Sequence, residues 1–414
     1  MVDGRTRPAL ILALVVACSA PSRAVTPPPV EPAAAGASAS IELVESQPVE
    51  TTLDSDLPDA HVVWLEMIQT ARTSLDFAEF YASNAPGSRL EPIVKAVEAA
   101  IARGVRVRFL VDITFVREYP DTIDRLQHAG AQLRTLDLSG PTGGILHAKY
   151  FIVDGRDAFL GSQNFDWRAL EHIEELGLRI RARDLVKDLA LIFAADWARA
   201  GNEAAQAPVT QDAWLQTGRD HTPSTSAGIV APPRFMLVAS PEALLPRGVR
   251  WDLPAITALI ASARTTIRVQ LLTYQAGTWD ELEDALVAAT KRGVHVELLL
   301  ADWSKREKTI GGIQALARMP NVEIRFVTFP EHSGGFIPFA RVTHAKLLVV
   351  DRERAWVGTS NWEREYFYES RNVGVILEDR VLAERIARWS DATWTSSYAT
   401  RVDPDVKYTA PRIK

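Results

Sequence analysis

The chain has 414 residues, with 46 Lys+Arg against 52 Asp+Glu, a formal net charge of −6 and a single cysteine. At 47% hydrophobic and 24% charged it is an ordinary globular composition, long enough for about two or three domains, and this excludes global disorder. One cysteine excludes an intramolecular disulfide scaffold, and the mild acidity argues against a general nucleic-acid coat protein without excluding a locally positive cleft.

The chain opens as an export signal. Arg5 and Arg7 form a short basic region, and Ala9 to Ala17 is an unbroken apolar run. That run is too short to span a bilayer, which takes about 20 residues. The order Val15-Val16-Ala17-Cys18 resembles the lipobox of bacterial lipoproteins, whose cysteine is lipidated and becomes the mature N-terminus. The competing expectation is a plain secretory signal cut a few residues later. On the lipoprotein reading residues 1–17 are a signal peptide, and residues 18–42, rich in Pro, Ala and Ser, are a tether with too little apolar bulk for a core. The protein is then exported and lipid-anchored through Cys18 in a bacterial envelope membrane, on its periplasmic or surface face.

The remainder repeats itself. Ala71-Arg72-Thr73-Ser74-Leu75 is followed by a helical stretch from Leu90 to Ala102 and by Arg103-Gly104-Val105-Arg106-Val107 running into Asp112. Ala263-Arg264-Thr265-Thr266-Ile267 is followed by a helical stretch from Leu282 to Thr290 and by Arg292-Gly293-Val294-His295-Val296 running into Asp302. A near-constant offset of this length indicates a duplicated domain and not a short-period solenoid. Val105 to Val111 and Val294 to Leu300 read as buried parallel strands, and their alternation with amphipathic helices indicates an α/β fold. The copies are expected at 43–205 and 237–402, joined by a Pro-, Gly-, Ser- and Thr-rich connection at 206–236.

Each copy then reaches the same constellation. His147-Ala148-Lys149, Asp154 and Gly161-Ser162-Gln163-Asn164 are matched by His344-Ala345-Lys346, Asp351 and Gly358-Thr359-Ser360-Asn361. His and Lys two apart share one face of a strand. Asp154-Gly155-Arg156-Asp157 reads as a tight hairpin turn; centred on Gly155-Arg156, it sets His147 opposite Asn164 and Lys149 opposite Ser162. The cluster suits a phosphate: lysine supplies a compact charge, and hydroxyl and amide supply oriented donors. Two such hairpins around one phosphodiester let one imidazole attack phosphorus while the other protonates the departing oxygen. A His/Asp metal site is the weaker reading, because a lysine beside each histidine repels a cation. An ordinary exposed strand explains one such triplet but not two with identical spacing.

The paired pattern of His-x-Lys, Asp and then Gly and Asn resembles the phospholipase D superfamily, from about Ile41 to Thr400. Leu146-His147-Ala148-Lys149, Asn164-Phe165-Asp166-Trp167-Arg168 and Gly358-Thr359-Ser360-Asn361-Trp362 are most similar to its lysosomal and poxviral branch, which includes 5′-exonucleases acting on single-stranded nucleic acids. The resemblance implies two similar α-β-α domains about a pseudo-twofold axis, an active site between them, a covalent phosphohistidine, and no metal or other cofactor. The lysosomal members carry several cysteines and a transmembrane anchor, which this chain lacks, and its segment after Tyr274 is short.

Family members orient a catalytic histidine through a downstream Glu. Glu175, beside Glu174, holds that place in the first copy, and Asn372 stands there in the second. A carboxylate steadies an imidazolium better than an amide does, so the two histidines differ in proton affinity. Asp154 and Asp351 are either turn residues or partners behind the site. Trp167 and Trp362 are expected in the core. The substrate is a phosphodiester, with phospholipid hydrolysis or phosphatidyl transfer slightly ahead of single-stranded nucleic acid because of the anchor. No obligate protein partner is indicated. The rival of another class, a catalytically silent binding lipoprotein, conflicts with two complete motifs.

Overall fold

The computed structural model describes Met1 and residues 40–203 and 234–414. The signal peptide, Cys18, nearly all of the tether and most of the connection lie outside the described residues. Both halves fall in one unit, Gly36–Lys414. Among the described residues no helix is long and apolar enough to cross a membrane.

The first half contains β1 (Ile41–Ser46), β2 (Ser74–Glu79), β3 (Ala82–Ser83), β4 (Arg106–Asp112), β5 (Gln132–Leu136), β6 (Lys149–Val153), β7 (Asp157–Gly161), β8 (Phe165–Asp166) and β9 (Ile173–Ile180). Its main sheet runs β1-β9-β7-β6-β2-β4-β5, and β3 pairs with β8 apart from it. The second half contains β10 (Arg234–Ser240), β11 (Arg250–Trp251), β12 (Thr266–Leu271), β13 (His295–Ala301), β14 (Val322–Val327), β15 (Val342–Thr343), β16 (Leu347–Val350), β17 (Arg354–Gly358), β18 (Asn372–Glu378) and β19 (Ala399–Arg401). Its sheet runs β11-β10-β18-β17-β16-β12-β13-β14-β19, which is the first order repeated with one strand added at each edge. The parallel part expected from the apolar runs is β2-β4-β5 and β12-β13-β14; the strands that carry the motifs pair antiparallel. Pairing starts at Ile41 and resumes at Arg234, slightly outside the expected domain edges.

The helix Glu91–Ala102 buries Ile93, Val94, Ala96, Val97 and Ala100, the spacing of one helical face, and Gly104 follows it at φ +88°. That left-handed position past a helix end suits glycine, which lets the chain drop directly into β4.

Three cores result. Two lie under the outer helices, one in each half. The third lies between the sheets, where Tyr150, Leu160 and Leu178 of one half join Leu347, Val357 and Val375 of the other, covered by the helices Arg183–Ala200 and Arg380–Thr395. Backbone also crosses: β15 pairs with β9, Val342 beside Ile173 and Thr343 beside Glu174, and Leu146 bridges to Arg371. The inner faces of both sheets and these two helices therefore share one core.

The hairpin register differs from the sequence reading by one residue. Tyr150 pairs with Leu160 and Val153 with Asp157, so the loop has one residue more than a two-residue turn. Asp154 and Gly155 both take positive φ, 52° and 65°, and this left-handed pair accommodates the extra residue. The second hairpin has the same loop, with Asp351 at 53° and Arg352 at 55°. Arg352 is held in that strained region by Glu384 at 2.8 Å and Asp391 at 2.9 Å.

Candidate active site

The two histidines sit where the halves cross. His147 N donates to Arg371 O at 2.9 Å, and His344 N donates to Glu174 O at 2.8 Å. Laying each triplet along the other half's β9 or β18 exchanges the imidazole partners. His344 Nδ1 lies 2.9 Å from Glu175 Oε2, and His147 Nδ1 lies 2.9 Å from Asn372 Oδ1. Glu175 therefore serves the histidine of the second copy and not of its own, which alignment along one copy does not show.

The ring orientation follows from these bonds. Asn372 Nδ2 donates to Tyr366 O at 2.8 Å and the Thr359 hydroxyl donates to Asn372 Oδ1 at 2.8 Å, so the side that faces His147 is an acceptor. His147 must then carry its proton on Nδ1, and the carboxylate sets the same tautomer in His344. Both Nε2 atoms are left with free lone pairs.

Lys149 Nζ donates to His147 O at 2.5 Å, and Lys346 Nζ to His344 O at 2.6 Å. Both lysines are fully buried. Burial pushes Lys149 down to about 7, against the pull of Glu79 and Glu175, and holds Lys346 well below the ordinary ammonium range. Burial, reinforced by the two lysines, holds both imidazoles well below the ordinary histidine range. Glu175 is pushed up to about 7 by burial, with Lys346, Ser162 and Lys149 opposing.

The remaining expected residues divide into two groups. Asn164 and Asn361 occupy matched buried positions, and Oδ1 of each finds no hydrogen-bond partner among the described residues. An amide flip would present a donor at the same buried place. The hydroxyls are committed elsewhere. Ser162 Oγ donates to Leu176 O at 3.2 Å and accepts from Leu176 N at 3.1 Å, and Thr359 Oγ1 accepts from Val373 N at 3.1 Å besides serving Asn372. Their expected phosphate contact is corrected to a role behind Glu175 and Asn372.

Of the two roles expected for Asp154 and Asp351, the structure shows the turn. Asp154 takes bonds from the backbone N of Arg72, Thr73 and Ser74 and from the Thr73 hydroxyl, at the far end of β6 from Lys149. Asp351 does the same with Arg264, Thr265 and Thr266. Both tie the hairpin loop to the neighbouring strand and stand away from the site.

Several site neighbours were not legible as such. Phe80 lies 5.0 Å from the His147 ring and Tyr366 4.8 Å from it, centroid to centroid. Phe80 continues to Phe115 at 4.0 Å and Tyr81 at 5.3 Å, and Tyr81 to Tyr119 at 5.0 Å. All five rings are half-buried. Glu79, 1% exposed, ends β2 directly opposite Lys149. The signal available was an acid closing the run Leu75-Asp76-Phe77-Ala78-Glu79 just ahead of two aromatics. Trp362 is fully buried in the second half's core, and Trp167 is half-buried against His172 at 5.3 Å. Among the described residues, no three His, Cys, Asp or Glu side chains group as a metal-holding set.

Comparison with known proteins agrees with this geometry. The family model described as "cardiolipin synthase, PLD-like domain" matches residues 64–197 and again 256–394, one match per half. The 5′-3′ exonuclease PLD4 of Mus musculus is 30% identical over 406 residues, covering 88% of this chain and 80% of that protein. Phospholipase D Z of Dictyostelium discoideum is 29% identical over 385 residues, covering 87% and 90%. Among solved structures, phosphatidylserine synthase of Haemophilus influenzae Rd KW20 superposes with a TM-score of 0.61 at 10% identity, over 83% of this chain and 85% of that one, and so speaks for the fold alone. With two matched halves, and two His-x-Lys motifs meeting between them, the chain belongs to the phospholipase D superfamily and is a phosphodiesterase of that family.

Proposed function

We propose that the chain cleaves single-stranded nucleic acid through a covalent phosphohistidine on His344, with His147 as the acid. The observation that carries the division of labour is the unequal pair of Nδ1 partners, Glu175 carboxylate against Asn372 amide. The Nε2 lone pair of His344 attacks phosphorus as the bond to the leaving oxygen breaks, and Nε2–H of a protonated His147 gives its proton to that oxygen. The imidazole that becomes cationic on phosphorylation is the one backed by a carboxylate. The acid is backed by a neutral amide and releases its proton more readily. Water then attacks the phosphohistidine, passing a proton to His147 Nε2 as the N–P bond breaks. Lys149, Lys346 and the amides of Asn164 and Asn361 face the charge on the equatorial oxygens.

For the substrate, the half-buried rings Phe80, Phe115, Tyr81 and Tyr119 form a run leading away from His147, and bases stack on such surfaces with little regard to sequence. Phospholipid hydrolysis or phosphatidyl transfer is the second reading, favoured by the lipobox-like Cys18. We also propose that Cys18 is lipidated and holds the exported protein at an envelope membrane; Cys18→Ser then moves it from the membrane to the soluble fraction.

Two measurements test these assignments. With bis(4-nitrophenyl) phosphate, whose leaving group needs no proton, His147→Ala keeps a burst of nitrophenolate and then stalls, while His344→Ala gives no burst. The reverse pattern overturns the assignment. Single-stranded oligonucleotides and phospholipid vesicles, compared at equal phosphodiester concentration, decide the substrate; faster turnover of the lipid overturns the nucleic-acid reading.

A further inference from the structure

The two halves differ in where they keep their carboxylates. Asp154 fixes Ser74 at the start of β2 and Asp351 fixes Thr266 at the start of β12, so the strands correspond residue by residue. Five residues on, the first has Glu79 and the second Leu271. At the histidine-binding position the order is Glu175 in the first half and Asn372 in the second. Glu175 acts on Lys346 more than on Lys149, and its counterpart facing Lys149 would be Asn372, which carries no charge. Glu79 is buried directly opposite Lys149 in the β2–β6 ladder, and its Oε2 has no hydrogen-bond partner among the described residues.

We propose that Glu79 is a positioning residue that replaces the carboxylate missing at Asn372, keeping Lys149 charged toward the phosphate. This rests on the cleft being a phosphodiesterase site. Each lysine then has one buried carboxylate at hand, Glu79 for Lys149 and Glu175 for Lys346, and the pocket is balanced before an anion enters. Lys149 is faced by Glu79 from β2, Glu175 from β9, Lys346 and His344 from the other half, and His147 on its own segment. Glu79 is its largest favourable charge. Burial lifts Glu79 well above the carboxylate range, and Lys149 opposes that shift.

The test uses the full chain with Glu79→Gln and Glu79→Leu, the second copying what Leu271 already provides. Tungstate binding is followed from acid to alkaline pH, and turnover of bis(4-nitrophenyl) phosphate is measured in parallel. The expected result is a loss of about 10-fold or more in kcat/KM. The pH above which tungstate ceases to bind moves down by about one unit, because losing a neighbouring negative charge lowers the lysine's proton affinity. Adding Asn372→Asp to Glu79→Gln moves that limit back up. A tungstate profile unchanged in both single variants overturns the proposal, including where activity falls in step with melting temperature. A wild-type enzyme that binds tungstate but cleaves no phosphodiester overturns the reading of the cleft instead, and the tungstate profile still decides on Glu79.

Discussion

Glu174 and Arg371 occupy equivalent buried positions, each one residue ahead of the group that holds an imidazole, and one is an acid where the other is a base. Arg371 is met by Asp196 at 2.8 and 2.9 Å, and by the carbonyls of Ser240 at 2.7 Å and Leu244 at 2.9 Å. Glu174 is met by neutral donors, Gln270 Nε2 at 3.1 Å and the Thr393 hydroxyl, and burial pushes it up to about 7. Asp196 and Thr393 project from the two central helices, so each helix reaches across to the other half.

Removing one member of the buried ion pair leaves a charge without compensation. Asp196→Ala is expected to cost about 3–5 kcal/mol of stability in denaturant unfolding, whereas Asp196→Leu combined with Arg371→Met recovers most of it. Equal losses in the single and the double variant contradict the pairing.

The proposed mechanism needs one imidazole neutral and the other protonated, and both are held below the ordinary histidine range. The pH profile of kcat/KM is therefore expected to be bell-shaped with its maximum on the acid side of about 6.5. Asn372→Asp places a carboxylate beside His147, stabilises its protonated form and moves the alkaline limb to higher pH. A limb that stays in place separates His147 from the acid step.

Glu175→Gln turns the second imidazole's support into a copy of the first. It is expected to lower kcat by about 100-fold or more, with little change in KM, because the contact strengthens only as His344 acquires charge. A change confined to KM assigns Glu175 to substrate binding.

Asp154→Ala is expected to remove about 1–3 kcal/mol of stability while leaving kcat near wild type, since the residue ties a loop and touches no reacting group. Burial disfavours its ionised form, but bonds from Ser74, Thr73 and Arg72 outweigh burial and hold its carboxyl below the usual range. Its contribution is therefore present above the unfolded value near 3.9 and is lost as pH falls through the folded one. Melting temperature against pH for wild type and variant checks this.

Activity of the purified enzyme is expected to persist in excess EDTA, because the proposed mechanism stabilises the phosphate with lysines, amides and imidazoles alone. Loss on chelation restored by Mg²⁺ or Zn²⁺ means that the chemistry of both hairpins has been misassigned.

The duplication, the paired motifs and the α/β class were legible because a near-constant offset and period-two spacing survive in one dimension. The partners of the histidines were not. Glu175 lies 28 residues from His147 in the chain yet bonds His344, and only the parallel β15–β9 contact makes that pairing. Ser162 and Thr359 looked like phosphate donors because a hydroxyl's direction depends on hairpin register, and one extra left-handed residue changed it. Phe80 and Tyr366 come from different halves, and no spacing rule joins them around His147.

The exchange of partners across the centre bears on what a duplicated chain permits. In a dimer of identical subunits, any change to the residue that grips one imidazole appears at both, and nucleophile and acid must share a single compromise. Covalent fusion of the two units removes that constraint. Glu175 and Asn372 were then free to diverge, as were Glu79 and Leu271. Because both sheets and the two central helices share one core, neither unit was free to leave. On the proposed division of labour the reaction then has a fixed direction through the site: the phosphoryl group is taken up on one side and the leaving group departs on the other.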